Sequence, residues 1–418
     1  MAHRFHAARR IDRSGAPTRS RLAAIAIAAT IVALTGCGSL PRNAVPPDAT
    51  QASAIPGMPD VRAWAGQPNP TLERDLEESF AQETEEDFPR AADGSVHYAH
   101  LALSGGGARG AFGAGFMNGW TSTGTRPTFK IVTGVSTGAL MAPFAFLGPM
   151  YDEALHQFYT TTRTRDIFVW RSILRQLLVG EALTDTSPLA ALIERHVDAE
   201  LVRRVAEAHQ RGRRLYIGTT DLDSQRFVVW NMGLVAASGS PKALELFRKI
   251  MLASASIPLV FPPVFFEVEV EPGGSRYDEL HVDGGVGARV FLSGGLFRPA
   301  VIRLRGGRGM GQEDIFVIHN GQLIPLGDPI RRTLPAIAMR VLDASGRAAV
   351  VADLFRIYGY AQQEQATFQW VTIPNDVDME SEEIFDPLLM QRLYDVGYAL
   401  AISGNGWATR PPGKQAAP

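Results

Sequence analysis

The 418-residue chain predicts an α/β domain with a largely parallel sheet. Two patterns carry that expectation. From about residue 98 onward, short apolar runs rich in β-branched or aromatic residues recur, and helical periodicity fills several of the gaps between them. The composition, 45% hydrophobic and 20% charged, is that of a globular protein with a sizeable core, which excludes a disordered tail, a collagen-like rod and a coiled coil.

Residues 1–21 hold six arginines and a single acid, Asp12, and an apolar run from Leu22 to Leu34 leads into Thr35-Gly36-Cys37. This is the order of a secretory signal, and the run is shorter than the roughly 20 residues a membrane-spanning helix needs. Cys37 is the chain's one cysteine, so no intrachain disulfide and no Cys-rich metal site can form. Leu34-Thr35-Gly36-Cys37 resembles the lipobox of bacterial lipoproteins. That resemblance implies a signal peptide over 1–36, a lipidated Cys37 and, with Gly38 behind it, an outer-membrane address. Losing residues 1–36 removes six basic and one acidic residue, leaving 35 against 42, about −7. No basic patch for anionic lipid is expected from that balance, and the near-cancelling 41 basic and 43 acidic residues of the whole chain give no footprint for a nucleic-acid partner.

Residues 37–96 read as a lipid-anchored flexible tether with an acidic segment. Residues 38–70 are rich in Pro, Ala and Gly without periodicity. Within Thr71 to Phe88, Leu72, Leu76 and Phe80 recur at i, i+4 and i+8, the pattern of a short acidic surface helix docked by one narrow stripe. The catalytic domain is expected over 97–407 and a frayed tail over 408–418. Strands are expected at 98–103, 129–133, 215–219, 227–230, 264–270, 315–319 and 368–373. Helices are expected around Leu244 to Met251 and from Pro387, with Asp386 placed as its cap.

Three loops carry the chemistry. The first, Ser104 to Gly110, follows a strand and offers Gly105, Gly106, Gly107, Ala108, Arg109 and Gly110, a glycine-rich turn that can aim several N–H groups at one anion. Its glycine spacing also fits a dinucleotide fingerprint. No Asp or Glu occurs between Asp93 and Asp152, however, so the acid that would hold a ribose is missing. The second loop, Gly134-Val135-Ser136-Thr137-Gly138, lies between an expected strand and an apolar stretch, the pattern of a nucleophile elbow with Ser136 at a helix N-terminus. A hydroxyl needs a base. In the usual Ser-Asp-His order the base would be His319, the one histidine beyond residue 281, which reads better as a packed strand end. The third loop, Asp283-Gly284-Gly285, ends an expected strand, and a desolvated Asp283 would have a carboxyl pKa raised toward the working range of a base.

Together these loops resemble the patatin-like phospholipase family. Gly105 to Gly110 is similar to its oxyanion motif, Gly134 to Gly138 to its nucleophile motif and Asp283-Gly284-Gly285 to its acid motif, in the family's order. Ala253 to Pro258 and Phe261-Pro262-Pro263 resemble the segment before that acid. The resemblance implies a three-layer α/β/α fold and a Ser136–Asp283 dyad without histidine. It also implies an oxyanion hole built from the N–H groups of Gly106, Gly107 and Ala108, with no metal and no cofactor. Arg109 is expected to brace its loop or meet a phosphate. The expected substrate is a phospholipid, lysophospholipid or other acyl ester at the membrane reached through lipidated Cys37. Residues 167–178, with Phe168, Trp170 and three nearby arginines, read as either an interfacial lid or an ordinary packed helix. A scaffold lipoprotein on a hydrolase fold and a His319-dependent esterase are the alternatives.

Overall fold

The computed structural model describes residues 41–171, 182–296, 298–305, 311–324, 327 and 329–414. Cys37, the signal segment and residues 172–178 of the basic apolar stretch lie outside them. The strands are β1 (Arg62–Trp64), β2 (Val96–Leu103), β3 (Phe129–Val135), β4 (Val169–Trp170), β5 (Thr184–Asp185), β6 (Arg214–Asp221), β7 (Arg226–Asn231), β8 (Val264–Glu269), β9 (Arg276–Asp283), β10 (Gly311–His319) and β11 (Thr367–Thr372). The helices that matter here are α1 (Pro70–Ala81), α2 (Gly110–Ser122), α3 (Thr137–Leu147), α4 (Asp152–Thr161), α5 (Ala199–Gln210), α6 (Ala243–Ser254), α7 (Leu334–Glu364) and α8 (Pro387–Ser403).

Nine of these strands form one sheet in the order β1-β7-β6-β3-β2-β10-β11, with the β8–β9 hairpin attached to β6 through β9. The centre, β6-β3-β2-β10-β11, is parallel, and its strands are apolar runs covered on both faces. On one face α2, α3, α5, α6 and α8 bury residues such as Phe112, Ala142, Val205, Phe247 and Leu393. On the other, α1 contributes Leu72, Leu76 and Phe80, and α7 contributes Val350, Leu354 and Ile357. This is the three-layer α/β/α arrangement, and every strand expected from the sequence is present. Asp386 caps α8, accepting the Leu388 N–H at 2.9 Å.

Two boundaries differ from the sequence reading. Described residues 41–96 are not a tether but part of the domain. β1 pairs antiparallel with the edge strand β7, Ile55, Met58 and Val61 are buried, and Ala54 bridges Glu269. An exposed sheet edge needs covering, and widely spaced apolar residues achieve this without any period a sequence scan detects. The acidic helix α1 docks by the expected stripe, but its acids also reach inward. Asp75 pairs with buried Arg214 of β6 at 2.7 Å, and Glu83, just beyond the helix, pairs with buried Lys130 of β3 at 2.7 Å. At the other end, Ala408 bridges Trp370, and the Arg410 carbonyl accepts from Trp370 Nε1 at 2.8 Å, so the described part of 408–418 is packed rather than frayed.

The N-terminal segment reaches the strand that carries Asp283. Buried Arg62 pairs with buried Glu279 of β9 and lies over the Trp230 ring, 5.2 Å from its centroid. Glu279 contacts His281 Nε2 at 3.2 Å, and His281 Nδ1 meets Thr219 Oγ1 of β6 at 2.8 Å. Removing one member of a buried pair strands the other charge. Arg62→Met is expected to cost about 3–5 kcal/mol, read from urea denaturation midpoints, with much of it recovered in Arg62→Met/Glu279→Leu. An unchanged midpoint for the single variant would mean the segment does not dock.

Candidate active site

Strand β6 sets the site. Its Gly218 pairs with Val135, the last residue of β3, and its next residue, Thr219, pairs with Asp283, the last residue of β9. Consecutive positions on one strand therefore hold the approach to Ser136 and the acid. Ser136 takes φ +56°, one of few non-glycine residues in that region, the strained turn that a nucleophile elbow requires. The elbow closes only because its flanks are bare. A Cβ at Gly134 would collide with the Gly138 carbonyl, and one at Gly138 with the Leu103 carbonyl. Helix α3 starts directly behind Ser136, with Ala139 N–H on the Ser136 carbonyl at 2.9 Å, so the dipole of α3 favours negative charge at the serine.

Asp283 is 6% exposed and Ser136 7%. Burial pushes the Asp283 carboxyl up to about 6, while hydrogen bonding from Ser136 and from the Gly285 N–H, 2.7 Å away, and the nearby Arg289 charge hold it from rising further. The segment Ala253 to Pro258 ties the two residues together. Ser254 Oγ accepts the Ser136 N–H at 3.0 Å and donates to the Gly218 carbonyl at 2.6 Å, and the Ser256 carbonyl accepts the Asp283 N–H at 2.8 Å. The sequence singled out this segment by resemblance, but nothing in its spacing revealed that Ser254 supports the elbow.

The glycine-rich loop lies against the serine, with a Cβ built on Gly105 reaching to 3.0 Å from Ser136 Cβ. The Gly105 N–H is bonded to the Arg289 carbonyl at 3.2 Å and the Arg109 N–H to the Gly106 carbonyl at 3.2 Å, while the Gly110 N–H turns back to Gly107 and Ala108. These bonds take Gly105, Arg109 and Gly110 out of the expected oxyanion hole as donors. Gly106, Gly107 and Ala108 remain, and Gly107 at φ +59° turns that part of the loop. Asn320 clamps the loop: its side chain donates to the Ser104 carbonyl at 2.9 Å and accepts the Gly113 N–H at 3.1 Å. Arg289, Ser254 and Asn320 were all missed in the sequence, because each acts through backbone atoms far away along the chain.

His319 sits at the end of β10 with Nδ1 3.0 Å from Ser104 Oγ. Burial and the charges of Arg109 and Arg289 push it down to about 3, so it stays neutral, and it supports the loop through Ser104 without lining the cleft.

Two spaces meet at Ser136. A cleft of about 430 Å³ is lined by Ser136, Asp283, Gly105 to Arg109 and Arg289, with exposed Arg109 on its wall. A narrow apolar pocket with about 30 Å³ of free space, lined by Leu140, Phe158, Ile167, Leu189 and Met390 among others, adjoins the same serine. Gly107, Ile257, Phe261 and Phe385 border both.

Residues 101–293 match the family model of patatin-like phospholipases. That stretch of the chain is similar to patatin-like phospholipase domains. The match supports a lipid acyl hydrolase in general terms. Among solved structures, VipD from Legionella pneumophila is similar at 13% sequence identity, over 76% of this chain and 69% of that one, with a TM-score of 0.31. No curated protein matches. All three motif loops fall inside the matched patatin-like stretch, whereas Asn320, α7 and α8 lie beyond it.

The raised carboxyl has a thermodynamic signature. A folded pKa near 6 against about 3.9 unfolded means that Asp283 costs nothing below about pH 4 and destabilises the fold as pH rises through 6, by an amount on the order of 3 kcal/mol. Asp283→Asn is expected to melt at a higher temperature than wild type near pH 8 and at the same temperature near pH 4. A lower melting temperature at the alkaline pH would contradict the burial argument.

Proposed function

We propose that the chain is a serine acyl hydrolase that cleaves fatty acyl esters of phospholipids or lysophospholipids through a Ser136–Asp283 dyad. The observation that carries this reading is the meeting, at one strained serine, of a buried acid, a loop of N–H donors and an apolar pocket. Asp283 takes the Ser136 hydroxyl proton as the oxygen attacks the ester carbonyl, and the oxyanion forms against Gly106, Gly107 and Ala108. Collapse breaks the ester bond, and Asp283 returns the proton to the departing alcohol. Water, deprotonated by Asp283, then attacks the acyl-serine; collapse breaks the bond between the acyl carbon and Ser136 Oγ, Asp283 returns the proton to that oxygen, and the fatty acid leaves.

A carboxyl near 6 suits both halves of this cycle. It is largely ionised at neutral pH and still basic enough to take a proton from the hydroxyl as that oxygen bonds to carbon. The roomier cleft accommodates the substrate, with its acyl chain along the apolar wall of Ile257, Phe261 and Phe385 toward the narrow pocket behind Ser136 and its headgroup side where exposed Arg109 and nearby Arg289 offer charge to a phosphate. Lipidation of Cys37 at the outer membrane, after removal of residues 1–36, completes the proposal by holding the enzyme beside its substrate.

The test is fatty-acid release from phospholipid vesicles. Ser136→Ala and Asp283→Asn are each expected to lose at least about a thousandfold in kcat, and His319→Gln to keep most of it. Full loss in His319→Gln with activity kept in Asp283→Asn would support a His-dependent esterase. No release by wild type, with function in cells retained by Ser136→Ala, would support a scaffold.

A further inference from the structure

We propose that the N-terminal half of α7 is a docking face that seats the mouth of the cleft on a bilayer of anionic phospholipid. The inference rests on the acyl-ester reading for its choice of lipid as the occupant. The face itself is read from packing. The C-terminal half of α7 buries Val350, Leu354, Ile357 and Ala361 in the core. In the other half, Leu334, Ile337 and Val341 recur at i, i+3 and i+7, one side of the helix, and are 81%, 45% and 60% exposed.

Its charge is opposite to that of the chain. Residues 330–347 contain Arg331, Arg332, Arg340 and Arg347 against Asp343 alone, in a protein of net charge −2. Arg331 and Arg332 are exposed just ahead of the stripe. An apolar stripe flanked by arginines lies stably in the plane of an interface, with the alkyl stems along the acyl boundary and the guanidinium groups on the phosphates. The expectation of no basic patch for anionic lipid, drawn from a charge of about −7 after loss of residues 1–36, fails here because the excess is local.

Position joins this face to the site. Leu342 and Asp343, next along the helix, line the cleft. Val286 and Ile384, on the same cleft, are 52% and 54% exposed, and exposed Trp170 stands edge-on to cleft-lining Phe168 at 5.3 Å. The apolar surface therefore continues from the helix across the mouth, and a lipid lifted from the bilayer would meet Ser136 without crossing water.

The test compares Ile337→Glu/Val341→Glu and Arg331→Glu/Arg332→Glu with wild type, all as the full chain. Turnover is measured on a water-soluble short-chain ester and on vesicles of phosphatidylglycerol or phosphatidylcholine. Vesicle cosedimentation is measured in a Ser136→Ala background, where no lipid is consumed. The first variant is expected to keep ester turnover and lose about tenfold or more in binding and in vesicle hydrolysis. The second is expected to lose the preference for phosphatidylglycerol, with a matching fall in salt sensitivity. Unchanged vesicle binding in both variants would overturn the proposal. So would a wild-type dimer that dissociates in Ile337→Glu/Val341→Glu, which would make the face a self-interface. If wild type turns over neither ester nor lipid, the hydrolase reading fails, and cosedimentation still decides the face.

Discussion

The site depends on the register of β6. Because Gly218 faces the end of β3 and Thr219 faces the end of β9, a slip of one residue on either side would separate Ser136 from Asp283 and turn alternate side chains to the wrong face. The fold invests heavily in that register. Arg214 at the start of β6 is anchored by Asp75 of α1, and Thr219 near its end is bonded to both His281 and Trp230. Ser254 then links the Gly218 carbonyl to the Ser136 N–H, so the strand and the elbow are tied directly to each other.

In the proposed dyad a carboxylate alone serves as the base, and this arrangement supports that reading. A two-residue site has no third group to orient the base, so orientation must come from the backbone. Asp283 is fixed by strand pairing through its own residue and by the Gly285 N–H on its side chain. Its pKa is set by burial with only partial compensation. The cost of keeping an acid in that position falls on stability, and the sheet's dense packing on both faces offsets it.

Legibility in the sequence followed locality. The three loops were visible because glycine, serine and aspartate had to stand within a few residues of one another, and the strands because apolar runs buried on both faces are continuous. The stripe Leu72, Leu76 and Phe80 was visible for its helical period. Residues 41–69 were misread because Ile55, Met58 and Val61 each fill a separate gap with no period to detect. Glu279 and Arg62, 217 positions apart, have no local signature of being a pair. The exposed stripe of α7 has the period of an ordinary core helix, and only the packing shows that its N-terminal half faces outward.

The central claim is that Asp283 alone activates Ser136. The direct measurement is the pH dependence of the rate at which a fluorophosphonate modifies Ser136 in wild type and in Asp283→Asn. The account predicts a wild-type rate that rises through a single midpoint near pH 6, and a slow rate in Asp283→Asn without that midpoint. Equal rates and equal midpoints in the two proteins would contradict it and return the search to another base.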